Sequence, residues 1–266
     1  MAKMYPVSND RADRSAAGGL LMSVRTYRKA HRYLGIVIGI QLLFWTASGF
    51  FFSLNPIEKV RGETEQVELQ SFEPGSIIAS PTEALQSLHD VYGEAEFNTV
   101  LLRPHLDGQV FEIAYHVDGV ARWALADAES GRLRDSVDED EAVELARRDF
   151  TVPADISSID LLLNVKPDSE YRGHPLPAYR VTFDHPLGTR VYVSVDRGVV
   201  TARRNDRWRW FDLMWMFHIM DYEARDDFNT LWLQLVSGLG LVTVLSGFAL
   251  FVVTSPRLRK LAKWNR

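Results

Sequence analysis

Two stretches of the chain are apolar and carry no charge. One runs from Gly35 to Leu54, GIVIGIQLLFWTASGFFFSL, and the other from Leu231 to Thr254, LWLQLVSGLGLVTVLSGFALFVVT. A helix rises ~1.5 Å per residue, so each is long enough to cross a hydrocarbon core of ~30 Å. The region between them has a different rhythm. YRVTF and RVYVSV alternate apolar and polar residues and predict strands. SPTEALQSLHDVYG opens with a Ser N-cap, a Pro in the first turn and a nearby Glu, and predicts a helix. DEDEAVELARRDF has acids first and arginines last, matching a helix dipole, and predicts a second.

The strand regions repeat. RPHLDGQVFEIAYHVDGVARWALADAESG, from Arg103, aligns without gaps on RGHPLPAYRVTFDHPLGTRVYVSVDRG, from Arg172. Arg103 meets Arg172, His105 meets His174, His116 meets His185, Gly119 meets Gly188 and Asp127 meets Asp196. Each copy reads as a strand, a glycine turn and a second strand, closing on an Asp and a Gly. With its preceding helix, each unit is one helix and about three strands, a small sheet covered on one face. The expected fold class is therefore α+β. Two apolar helices flank one body of two units, at about residues 78–135 and 136–205.

Charge orients the segments. Residues 1–34 hold seven Lys/Arg against Asp10 and Asp13, and residues 255–266 hold five Lys/Arg and no acid. The stretch between these tails carries 18 basic and 33 acidic residues, a net charge of −15. Basic flanks stay in the cytoplasm, so 35–54 and 231–254 are expected to span the membrane with residues 55–230 outside. That segment divides into a domain at 55–205 and an interfacial, acidic stretch at 206–230. The apolar region at 35–54 exceeds that of a signal peptide, and no small-x-small site follows it, which predicts an uncleaved anchor. An acidic body argues against nucleic acid, and the basic tails suit anionic lipid headgroups. The chain has no cysteine, which removes disulfides, thiolate metal sites and a cysteine nucleophile.

The helix–strand–strand–strand unit with a D-x-x-(S/T)-G closing turn resembles the PepSY domain. RTYRKAHRYLGIVIG, PAYRVTFDHPLGTRVYVSVDRGVV, and WFDLMWMFHIMD before a span ending SGFALFV are similar to PepSY-associated transmembrane proteins, over most of the chain beyond about residue 25. The second unit departs from the pattern, closing as Asp196-Arg197-Gly198 without the Ser/Thr. Many relatives have four or more spans, so multi-span activities carry over poorly. The resemblance implies a bacterial inner-membrane protein with a periplasmic tandem domain, acting as an accessory, regulatory or binding subunit. The alternative it implies is a haem-b electron-transfer component related to ferric-siderophore reductases.

For that alternative the candidate ligands are His218, in MFHIMDYEARDDFNTLW, and His31, in HRYLG. They are expected on opposite faces of the bilayer, on the order of 30 Å apart, so one chain does not bring both to one iron. A His218 pair across a two-fold axis, or a partner's ligand, would be needed. The bland reading makes both juxtamembrane residues, among Trp, Phe and Met at the headgroup level. Gly35, Gly39, Gly238 and Gly240 are candidate close-packing positions, between the spans or between chains. His105, His116, His174 and His185 lack tight ligand spacing, and strand-end positions explain them. Asp221, Glu223, Asp226 and Asp227 read as solvated surface. No H-E-x-x-H, G-x-S-x-G, P-loop or Rossmann pattern occurs. The expectation is a protein without catalytic residues or an assigned cofactor, partnered by the bilayer and by another protein or a second copy of itself.

Overall fold

A computed structural model describes residues 24–67, 79–106 and 108–256. The chain divides into two compact units. One joins the first part of a long helix to the last helix, and the other runs from Ser48 to Asp227.

The first unit pairs helix α1 (Val24–Leu54), up to Ala47, with helix α6 (Leu231–Thr254). Both are long and apolar enough to cross a membrane. Their contacts are antiparallel: a Cβ at Gly240 would meet Ile38 and Trp45, and one at Gly247 would meet His31. The less exposed positions recur every three or four residues. They include His31, Leu34, Ile38, Gln41 and Trp45 on α1, and Leu233, Val236, Gly240, Thr243, Gly247 and Leu250 on α6. This is the seven-residue rhythm of helices packed side by side. Of the four glycines expected to pack, Gly240 alone meets the other helix. Gly35, Gly39 and Gly238 have nothing within 4 Å of a Cβ built on them. Thr46, Thr243, Ser246 and Thr254 return their hydroxyls to carbonyls of their own helix, which pairs these donors within an apolar stretch.

The second unit is α+β. The end of α1 is followed by a short helix α2 (Ile57–Val60) and a 3₁₀ turn at Glu63–Glu65. Helix α3 (Pro81–Tyr92) precedes an antiparallel sheet of β1 (Glu96–His105), β2 (Gly108–Val117) and β3 (Val120–Asp127), in that order. Helix α4 (Glu139–Asp149) precedes a second antiparallel sheet of β4 (Ile156–Leu162), β5 (Ala178–Phe183), β6 (Arg190–Ser194) and β7 (Val199–Arg204). Helix α5 (Asp206–Ile219) follows. The caps are local. Ser80 accepts from the Thr82 amide, Asp138 from Glu141 and Asn205 from Trp208.

The two hairpins of the repeat, β2–β3 and β5–β6, carry Gly119 and Gly188 in their turns. Beyond them the copies differ. Arg103 and His105 lie on β1, whereas Arg172 and His174 lie in the turn before β5. The second sheet also has four strands rather than three. In the first repeat the corresponding return of the chain is a single bridge, Leu133 to Ala126.

Both faces of the first sheet are covered, and strand alternation explains how. Phe111, Ile113 and Tyr115 of β2 pack with Ala84 and Leu88 of α3. Val110, on the other face, joins Leu125, Ala142 and Ala146 of α4, and Val181, Val191 and Val193 of the second sheet. Helix α4 thus serves both repeats. Glu112 shares the Val110 face, and its side chain is 3% exposed. A carboxylate buried there without partners would cost several kcal/mol. Arg103 meets it from β1 at 2.9 Å, and Arg197 donates from the closing turn of the second repeat at 2.7 Å.

Glu112→Gln removes the charge between two guanidiniums. The expected loss is about 3 kcal/mol, a fall of roughly 10 °C in the melting of this unit by scanning fluorimetry. Glu144→Ala, which removes an exposed pair with Arg148, is expected to cost under about 0.5 kcal/mol. Equal melting of the two variants would show that the buried triad does not hold the repeats together.

Candidate functional site

One group of polar side chains in the second unit gathers where one repeat meets the other. His105 ends β1 and is buried. Its Nε2 lies 2.7 Å from Glu141 on α4, and its Nδ1 lies 3.2 Å from the Gly198 carbonyl that leads into β7. Arg134 donates to the same Glu141 oxygen at 2.6 Å. Burial pushes Glu141 up, but hydrogen bonds from His105 and Arg134 and the Arg134 charge outweigh it, and the carboxyl lies below its ordinary range. Gly198 has φ +57°, and a Cβ there would come within 2.7 Å of Leu125 and 2.9 Å of His105. The closing turn therefore fits against the first repeat only as glycine.

Beside this junction lies an open cleft of about 540 Å³. Leu101 to Leu106 form one wall, Val199, Val200 and Arg203 another, and Leu145, Arg148 and Asp149 the floor. Arg203 forks onto Asp149, tying β7 to the end of α4. No signal in the sequence pointed to this cleft, because its walls come from strands almost a hundred residues apart.

A second cluster lies under α5. Tyr192, Tyr171 and His174 stack in series, with ring centroids 4.6 and 5.0 Å apart. Arg204 donates to His174 Nε2 at 2.9 Å and lies over the Trp208 ring, which Arg172 also faces. Buried Asp212 receives Arg172 at 2.5 Å and also Arg225. Glu170 receives Arg190, Tyr192 and Arg209, at 2.6, 2.6 and 3.0 Å. These bonds fasten α5 to the second repeat.

The histidines expected to ligate haem belong to different units, and each has its own serine. His218, on α5, has Nδ1 2.7 Å from Ser48 and lies between Trp215 and Phe52. His31, on α1, has Nδ1 2.6 Å from Ser246. The remaining histidines do not converge. His105 and His116 mark opposite ends of the β1–β2 ladder, and His185 lies in a turn against Phe150 and Thr189. Among the described residues, no group of three or more His, Asp or Glu could hold a metal ion. Asp221 accepts backbone amides from Glu223, Ala224, Asp226 and Asp227, so it organises the turn after α5, while Glu223, Asp226 and Asp227 are exposed.

No protein-family model, curated protein or solved structure matches the chain.

Burial, and then the charges of Arg204 and Arg172, push His174 down to about 4 from an ordinary 6.5. Between these values the unfolded chain takes up a proton that the folded ring refuses. This contribution makes stability rise from pH 4 to 6.5 and fall on acidification. Glu170 acts lower: burial raises it, the bonds from Tyr192 and Arg190 more than compensate, and its stabilisation is lost below its ordinary 4.5. His174→Gln, neutral throughout, is expected to flatten the melting-temperature profile between pH 4 and 6.5. Part of the slope remains through His218, which burial also pushes down. A variant with the wild-type slope would exclude His174 as its source.

Proposed function

We propose that this is a membrane-anchored binding protein. It has a PepSY-like tandem domain outside the cytoplasmic membrane of a bacterium and acts as an accessory or regulatory subunit. The observation that carries the reading is the cleft beside the His105–Gly198 junction. It lies in a well-packed α+β unit of a chain that also holds two helices apolar enough to span a bilayer. Charge supports the orientation, with the acidic segment outside and the basic tails inside. Exposed Trp210 and Tyr222, on and just after α5, suit a membrane–water interface.

The redox reading has one observation in its favour. In both His31 and His218 a serine hydroxyl holds Nδ1, the kind of bond that orients a ligating imidazole. The two rings belong to different units, and this reading takes the second ligand of each from a partner or a second copy.

Two measurements test the proposal. The chain has no cysteine, so single-cysteine variants label against a clean background. Val120→Cys is expected to react with a membrane-impermeant maleimide in intact cells, and Arg25→Cys only after permeabilisation; the reverse pattern would overturn the orientation. The protein purified from haem-replete cells is expected to give a featureless visible spectrum. A Soret band with sharp reduced α and β bands, lost in His218→Ala or His31→Ala, would replace the binding reading with the redox one.

A further inference from the structure

The outer edge of β3 is only partly paired. The returning chain bridges Leu133 to Ala126, the Arg134 amide donates to the Leu125 carbonyl, and the Asp127 amide donates to Arg132. Continued in that register, the ladder would set Ser136 opposite Trp123. It stops short of that pair. Val137 donates its amide to Val195 of the second repeat at 3.0 Å, and the Ser136 hydroxyl bonds Asp196 at 3.2 Å. In an antiparallel strand, alternate residues turn both N–H and C=O to the same edge. Leu125 and Asp127 face the returning chain, so Trp123 does too, and its N–H and C=O have no ladder partner on that edge.

A cavity of about 150 Å³ opens in this fork, and its lining includes Tyr92, Tyr115, Arg122, Trp123, Asp135 and Asp196. Two nearby cations are already matched, Arg134 by Glu141 and Arg197 by Glu112. Arg122 and Asp135 differ. Both are exposed, and neither has a hydrogen bond or an ion pair among the described residues. Arg122 stands opposite buried Tyr115 in the β2–β3 ladder. Burial and a hydrogen bond to Tyr92 push the Tyr115 hydroxyl up to about 12, so it stays neutral. The fork thus presents one backbone donor, one backbone acceptor, an unpaired cation and an unpaired carboxylate.

The backbone pair selects the ligand. A residue facing Trp123 in a hydrogen-bonded pair would give an N–H to its carbonyl and accept one from its amide. A free α-amino acid carries both functions on one carbon, with an ammonium to donate and a carboxylate to accept. Arg122 matches the carboxylate, and Asp135 and Asp196 match the ammonium. We propose that the fork binds a small free α-amino acid as its zwitterion, seated at the ladder position opposite Trp123. The site shares no lining residue with the cleft beside the His105–Gly198 junction, so its loss would leave the anchored binding protein and that cleft standing.

The test is isothermal titration calorimetry of the full chain in detergent micelles, with glycine, L-alanine and L-serine in turn. Saturable binding of at least one is expected at millimolar concentration. Its N-acetyl derivative, which lacks the ammonium, and its amide, which lacks the carboxylate, should each bind about ten-fold more weakly or not at all. Arg122→Gln and Asp135→Asn, at exposed positions with no partner to lose, should keep the wild-type melting temperature and weaken binding about ten-fold. Failure of all three amino acids to saturate would overturn the assignment, as would equal binding of the N-acetyl derivative. Tighter binding of trialanine would give the edge to a peptide instead. An unchanged affinity in both variants would move the amino acid to another place on the chain, and it too would overturn the site.

Discussion

The docking of the two repeats turns on the burial of Glu112. A carboxylate placed in the middle of a sheet face is tolerated only with cations around it. One cation comes from the neighbouring strand and the other from the closing turn of the second repeat. The first sheet therefore does not complete its own electrostatics. Its charge is balanced when the second repeat is docked, so the docking is specified by ion pairing as well as by apolar area.

Helix α4 takes its place from the same arrangement. It begins the second repeat, yet its small residues Ala142 and Ala146 pack in a core that includes Val110 and Leu125 of the first. Its Glu141 binds His105 and Arg134, both N-terminal to it in the chain. A helix with alanines on its buried face lets two sheets approach closely. The cleft lies beside the end of that helix and the His105–Gly198 contact.

Some of this was legible in the residues. The uncharged runs predicted the two apolar helices because charge at that depth is costly. Ser80 and Pro81 marked one helix start through cap chemistry, and the acids from Asp138 marked another through the helix dipole. The matched glycine turns located both hairpins. The repeat misled where identity of residue type was taken for identity of conformation: Arg172 and His174 sit in a stretch rich in Pro, Ser and Gly, a turn signal that the alignment with Arg103 and His105 hid. The packing seam of the apolar helices was illegible for another reason. Where nearly every position is apolar, periodicity has no contrast; residue size singled out Gly35, Gly39, Gly238 and Gly240, and within one chain the contacts include Ile38, Trp45, Gly240 and Gly247. The cleft could not be read from sequence, because no local pattern links position 101 to position 200.

Gly198 carries a consequence for how such a chain can change. The space a side chain would need there is filled by Leu125 and His105, which belong to the other copy of the repeat. A duplicated unit usually gains freedom, since either copy can drift while the other keeps its form. Here the copies share a boundary at atomic contact, and drift at 105 or 125 alters what is tolerated at 198. A chain carrying the second copy alone would hold the turn between β6 and β7 in a shape set by a missing neighbour.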